Sequence, residues 1–145
     1  MNIKGLRFIL PALALLTLSC AGAQPDVDPE VAVKARAAAY WQHRIKGEFS
    51  KAYPYESPPF REGVSLDIYY KAIGGGLLYL GAHVKSAVVR GDTAVVIVEI
   101  RYKPMGAVTP KKGLQRDIHD NWQLYDGEWC HRFRRQKKKP PSVDM

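Results

Sequence analysis

Residues 116–134 read RDIHDNWQLYDGEWCHRFR, and the Asp126-Gly127 pair in the middle decides how the rest of the chain is read. Asp-Gly between two runs of aliphatic and aromatic residues is a strong hairpin signal, because a two-residue turn that matches the twist of its strands needs residues tolerant of positive φ. Such a turn pairs Tyr125 with Glu128, and every pair further out has residue numbers that sum to 253. Side chains alternate along a strand and opposed residues share a face. One face therefore carries Ile118, Asp120, Trp122 and Leu124 with Trp129, His131 and Phe133. The other carries His119, Asn121, Gln123, Tyr125, Glu128, Cys130, Arg132 and Arg134. The first set is apolar and must meet other elements; the second is polar and suits water.

Upstream, Leu77–Arg90 and Thr93–Lys103 are rich in Val, Ile and Tyr and flank Gly91-Asp92, a second two-residue connection. Met105–Gly113, with its prolines, glycines and lysines, reads as the loop between the hairpins. Asp28-Pro29 starts a helix: a capping oxygen is followed by a residue whose missing N–H costs nothing in the first turn. An apolar stripe is expected at Val31, Ala35, Ala38, Trp41 or Gln42, Ile45 and Phe49. Gly47 interrupts this helix, Glu48–Tyr53 forms a short second one, and Pro54, Pro58 and Pro59 are expected to stop helical continuation. Ser65 caps a third short helix to about Ile73, closed by Gly74-Gly75-Gly76.

The chain has 145 residues, 22 Lys and Arg against 14 Asp and Glu, and a formal net charge of +8. That length suits one small domain, and the composition excludes both a wholly disordered chain and a polytopic membrane protein. The charge is concentrated at the ends. Residues 24–131 hold 14 basic and 13 acidic side chains, whereas Arg132, Arg134, Arg135, Lys137, Lys138 and Lys139 crowd one short segment. At the start, Lys4 and Arg7 precede an apolar run from Phe8 to Leu18 and then small residues, the layout of a bacterial export signal over residues 1–23. Two processing routes fit. Leu16-Thr17-Leu18-Ser19-Cys20 resembles a lipoprotein box that would make Cys20 the lipidation site, and Ala21-Gly22-Ala23 resembles a signal-peptidase site. The product is an exported protein, either lipid-anchored at the periplasmic side of the outer membrane or soluble in the periplasm or medium. Residues 24–28 form a linker, 29–135 the domain and 136–145 a basic disordered tail. Cys130 is then the one remaining cysteine, which leaves no intrachain disulfide.

Helices followed by a four-stranded antiparallel sheet ending in a Trp-rich hairpin resemble the nuclear transport factor 2-like superfamily, the cone also called cystatin-like. The resemblance rests on Ala39-Tyr40-Trp41, Gly47-Glu48-Phe49, Ala52-Tyr53, Arg90-Gly91-Asp92-Thr93-Ala94, Asn121-Trp122 and Asp126-Gly127-Glu128-Trp129. It spans roughly residues 29 to 134. It implies an α+β fold, with N-terminal helices packed on a curved four-stranded antiparallel sheet, and a cleft between the first helix and the concave sheet face. It does not choose a function, since the superfamily holds isomerases, polyketide cyclases, dehydratases and binding or assembly domains.

Asp120 and His131 are the polar residues on the face turned to that cleft, diagonal across the two strands. A carboxylate beside an imidazole could move a proton, and Tyr40 or Tyr53 could donate to a developing oxyanion as a tyrosine does in ketosteroid isomerase. The competing reading is a satisfied structural hydrogen bond. Trp41, Tyr53, Trp122 and Trp129 are candidates for lining a ligand cleft, because amphipathic aromatics pack while their polar edges stay available. The histidines show no metal-ligand spacing, the Gly-rich stretch lacks the Lys-Ser/Thr of a phosphate loop, and no cofactor is implied.

These readings favour a non-enzymatic envelope protein that binds a small ligand or a protein partner. The rival is a small enzyme of the ketosteroid isomerase or polyketide cyclase type that uses Asp120 with His131. Export sets nucleic acid aside as a partner, and Arg132 to Lys139 suits anionic lipid or an acidic envelope polymer. A homodimer through the convex sheet face is a third arrangement.

Overall fold

The computed structural model describes residues 27–73 and 76–133. The segment expected to be an export signal (with Cys20), Gly74, Gly75 and the residues beyond Phe133 lie outside them. The first helix, α1 (Pro29–Ile45), begins as expected: Pro29 opens it and the Asp28 carboxylate accepts from the Glu30 N–H at 2.8 Å. Replacing Asp28 by alanine should cost about 1 kcal/mol, the usual worth of an N-cap. Urea denaturation reads it, and an unchanged midpoint would show that Pro29 alone sets the helix start.

The buried face of α1 differs from the expected stripe. Val33, Ala37, Tyr40, Trp41 and Arg44 point inward, while Val31 is 56% exposed and Ala35 and Ala38 also face out. Small residues surround this helix and so mark no face. The inward row includes an arginine, which apolar periodicity assigns to solvent. Gly47, at φ 71°, turns the chain out of α1, since glycine alone adopts that conformation without strain.

A short helix α2 (Phe49–Ala52) runs into a 3-10 turn at Tyr53–Tyr55. The prolines then act against expectation. Pro58 and Pro59 start a further helix, α3 (Pro58–Gly63), instead of ending the helical region. Proline is tolerated in a first turn, where no N–H is required, so a Pro-Pro pair after Ser57 opens a helix as readily as it closes one. The last helix is α4 (Leu66–Ile73), with Ser65 Oγ accepting from the Ile68 N–H at 3.4 Å.

Four strands follow in an antiparallel meander of order β1-β2-β3-β4: β1 (Leu77–Arg90), β2 (Thr93–Pro104), β3 (Leu114–Tyr125) and β4 (Glu128–His131). The last hairpin has the register set by its turn, with Tyr125 opposite Glu128 and Trp122 opposite His131. Asp126 and Gly127 are both at positive φ, 49° and 83°, as a turn of this hand demands. Register shifts at Tyr79/Gly81 and Val84/Ser86 bend β1, and α1 lies mainly over that strand. The core joins Val33, Ala37 and Tyr40 of α1 to Val96, Val98 and Ile100 of β2 and Trp122 of β3. Among the described residues no helix is long and apolar enough to cross a membrane.

Candidate functional site

Where α1, the 3-10 turn and the last hairpin converge, four ionisable side chains are buried together: Arg44, Glu56, Asp120 and His131. Strand alternation delivers two of them. Asp120 and His131 lie on the concave face with Trp122, as the 253 register requires. The other two arrive by routes the sequence conceals. Arg44 comes one turn after Tyr40 on the inward side of α1. Glu56 comes from the chain between the 3-10 turn and α3, which pairs as a one-residue parallel bridge with His131. The Ser57 N–H donates to the His131 carbonyl at 3.0 Å and locks this approach.

Glu56 is wholly buried and is the hub. Its Oε1 accepts from the Tyr40 hydroxyl at 2.9 Å and the Tyr69 hydroxyl at 3.0 Å, and its Oε2 lies 2.8 Å from His131 Nδ1. The Tyr40 ring stacks on the imidazole at 4.6 Å between centroids. Arg44 Nη1 donates to the Tyr40 oxygen at 2.7 Å, so the guanidinium reaches Glu56 only through a phenol. Asp120 Oδ2 accepts from Trp41 Nε1 at 2.5 Å, and its Oδ1 faces His131 Nε2 at 3.7 Å. That second separation is an ion-pair distance rather than a hydrogen bond.

Burial alone would push the imidazolium down. The contacts to Asp120 and Glu56 and their charges outweigh it and hold His131 at about 9. At neutral pH the ring is therefore a cation flanked by two carboxylates, and it has no lone pair with which to accept a proton. Burial raises the Tyr40 hydroxyl well above its usual value, with Arg44 opposing and Glu56 adding to the effect, so it remains a donor. Two positive and two negative groups balance inside the domain, which is how buried charge is normally tolerated.

Asp120, His131, Arg44, Trp41 and Tyr79 border a polar cleft of about 190 Å³ that also meets His119, Asn121 and Arg132. Other candidates sit elsewhere. Tyr40 is buried behind the cleft. The Tyr53 hydroxyl donates to the Val64 carbonyl at 2.6 Å and fastens the end of α3. Trp122 is 1% exposed and belongs to the core, which leaves it no surface for a ligand. Trp129 lines a separate apolar groove of about 460 Å³ with Val27, Pro29, Ala32 and Leu124. Cys130 lies on the opposite strand face and is buried nonetheless, and burial pushes its thiol up, away from thiolate chemistry. Among the described residues no group of three or more His, Cys, Asp and Glu side chains is arranged to hold a metal ion.

Sequence reading missed Arg44 and Glu56. The available signal for Glu56 was its setting, a single acid among Tyr53, Tyr55 and Phe60.

No protein-family model matches the chain, and no curated protein matches it. Solved structures do. A SEC-C motif-containing protein from Rhodopseudomonas palustris is 15% identical, with 68% of this chain and 73% of that chain covered and a TM-score of 0.52. A Campylobacter jejuni protein described as a candidate NTF2-like transpeptidase is 9% identical, with 70% and 98% covered and a TM-score of 0.49. A candidate dehydratase of the NTF2-like family from Streptomyces avermitilis is 15% identical, with 70% and 92% covered and a TM-score of 0.41. The fold is α+β, with helices packed on a curved four-stranded antiparallel sheet, and the likeness to the Rhodopseudomonas palustris protein lies in that architecture. Likeness at these identities concerns architecture and carries no residue role across.

Proposed function

We propose that the mature chain is a non-enzymatic binding module of the bacterial envelope, whose cone offers the cleft at Trp41, Arg44, Tyr79 and Asp120 to a small ligand. The observation that carries this reading is the occupied state of the Asp120 and His131 pair. Each ring nitrogen of His131 faces a carboxylate and the ring is an imidazolium at neutral pH, while one Asp120 oxygen is held by Trp41. A general base must be free to take a proton near the working pH, and the His131 imidazolium does not meet that requirement. The enzyme reading has one observation in its favour, that Asp120 and His131 both border the opening.

Export through residues 1–23 is part of the same proposal, resting on the charged start, the apolar run and the small residues that follow. One preparation tests both. The full chain, expressed in a bacterium and purified from its envelope without denaturant, is examined by native mass spectrometry. The expected spectrum shows a small molecule bound to the folded chain, and a protein mass that corresponds to an acylated start at Cys20 or an unmodified start at Gln24. A ligand-free spectrum defeats the binding reading, and an intact Met1 start defeats export.

A further inference from the structure

Arg44 is 93% buried by exposure, yet no carboxylate pairs with it: none of the ion pairs among the described residues includes it. Its Nη1 is bonded to Tyr40, but its Nε is buried without a hydrogen-bond partner. Buried polar atoms nearly always find partners, and a buried guanidinium with an empty donor is an exception that calls for a physical cause. Packing makes the group hard to move. The guanidinium carbon lies 5.2 Å from the ring centroids of both Trp41 and Tyr79 and 5.5 Å from that of Tyr40, so aromatic faces fix its position.

The cleft that Arg44 borders also meets other basic and polar residues. His131, Arg132, His119 and Asn121 share its wall, and its one carboxylate, Asp120, is engaged by Trp41 and faces His131. Glu56, the other nearby negative charge, is wholly enclosed behind Tyr40 and His131 and presents nothing to the opening. A volume of about 190 Å³ corresponds to about six water molecules at ~30 Å³ each, enough for a carboxylate or phosphate group with little attached.

We propose that this cleft binds a small oxyanion, with Arg44 as the charged donor held in place by Trp41 and Tyr79 and Arg132 as the cation at its exposed rim. Arginine suits this role because its planar fork matches the oxygens of carboxylate and phosphate, which lysine does not. The inference rests on the binding reading above and names the ligand chemistry of that site.

The test uses the full chain with nitrogen-15-labelled tryptophan. Sodium acetate and sodium phosphate are titrated separately at constant ionic strength, with acetamide as the neutral isostere, and the indole N–H of Trp41, which donates to Asp120, is followed by nuclear magnetic resonance. A saturable shift with acetate or phosphate and none with acetamide is expected, and the stronger of the two salts identifies the oxyanion class. Arg44→Lys should weaken binding about tenfold. Arg132→Gln, a rim change that leaves the core intact, should weaken it about threefold, and it serves if Arg44→Lys does not fold. An equal response to acetamide, no response to either salt, or a response unchanged in both variants would overturn the proposal. A neutral molecule found on the native protein, with no response to either salt, overturns the oxyanion inference and leaves the binding module standing. A ligand-free native protein with no response removes both.

Discussion

Replacing Glu56 by alanine should destabilise the domain by about 3–5 kcal/mol, the range for removing one partner of a buried, hydrogen-bonded charge pair. Nothing at the surface compensates, because the carboxylate is wholly enclosed. The substitution strips the hydroxyls of Tyr40 and Tyr69 of their acceptor and leaves the His131 cation with Asp120 at ion-pair distance alone. Heat denaturation followed by circular dichroism should show the midpoint falling by more than about 12 °C, at roughly 4 °C per kcal/mol for a domain of this size. Glu56→Gln retains an acceptor oxygen for the two phenols but loses the charge, and it should fall between wild type and alanine. A shift of less than about 4 °C for the alanine variant would mean that water or a rearranged Asp120 replaces Glu56, and the hub role would be abandoned.

Stability should also decline on the alkaline side, with a window fixed by His131. Its folded value of about 9 lies above the ordinary 6.5, so the folded state binds the proton more tightly than the unfolded chain does. The resulting stabilisation is fully present below pH 6.5, decreases above it and is lost as pH rises through about 9. At 1.36 kcal/mol per unit the loss is on the order of 3 kcal/mol. Deprotonation leaves Glu56 and Asp120 as two buried negative charges opposed by Arg44, which acts on Glu56 only through Tyr40. Urea unfolding at pH 6 and at pH 9 measures the difference, and Glu56→Gln should narrow the window by removing one of the charges that raises the imidazole. A stability constant across this range would show that His131 titrates at its ordinary value and that the cluster is not ionised as described.

What the sequence disclosed and what it hid follow from the range of the interactions involved. The register of the last hairpin was legible because a two-residue Asp-Gly turn fixes all later pairs by counting, and Asp120, Trp122 and His131 fell on one face accordingly. The start of α1 was legible because an N-cap and a first-turn proline act within three residues. The phase of α1 was not, since alanines lie on both sides of it and the inward row includes Arg44. The role of Pro58 and Pro59 was ambiguous locally, and the bridge from Glu56 to His131 decided how that segment docks. Glu56 itself reaches a partner 75 positions away. No periodicity marks a charged residue between a 3-10 turn and a proline pair, so the centre of the site became visible only in three dimensions.

The bridge between Glu56 and His131 also bears on self-association. A four-stranded meander has two borders, and unpaired strand borders are templates for polymerisation. Here β4 is only four residues long and its outer side meets Glu56 and Ser57, while β1, at the opposite border, is bent by two register shifts. The residue that neutralises the imidazole is thus also the one that shields the last strand. Loss of Glu56 would free that strand to recruit other chains, coupling a change of buried charge to aggregation.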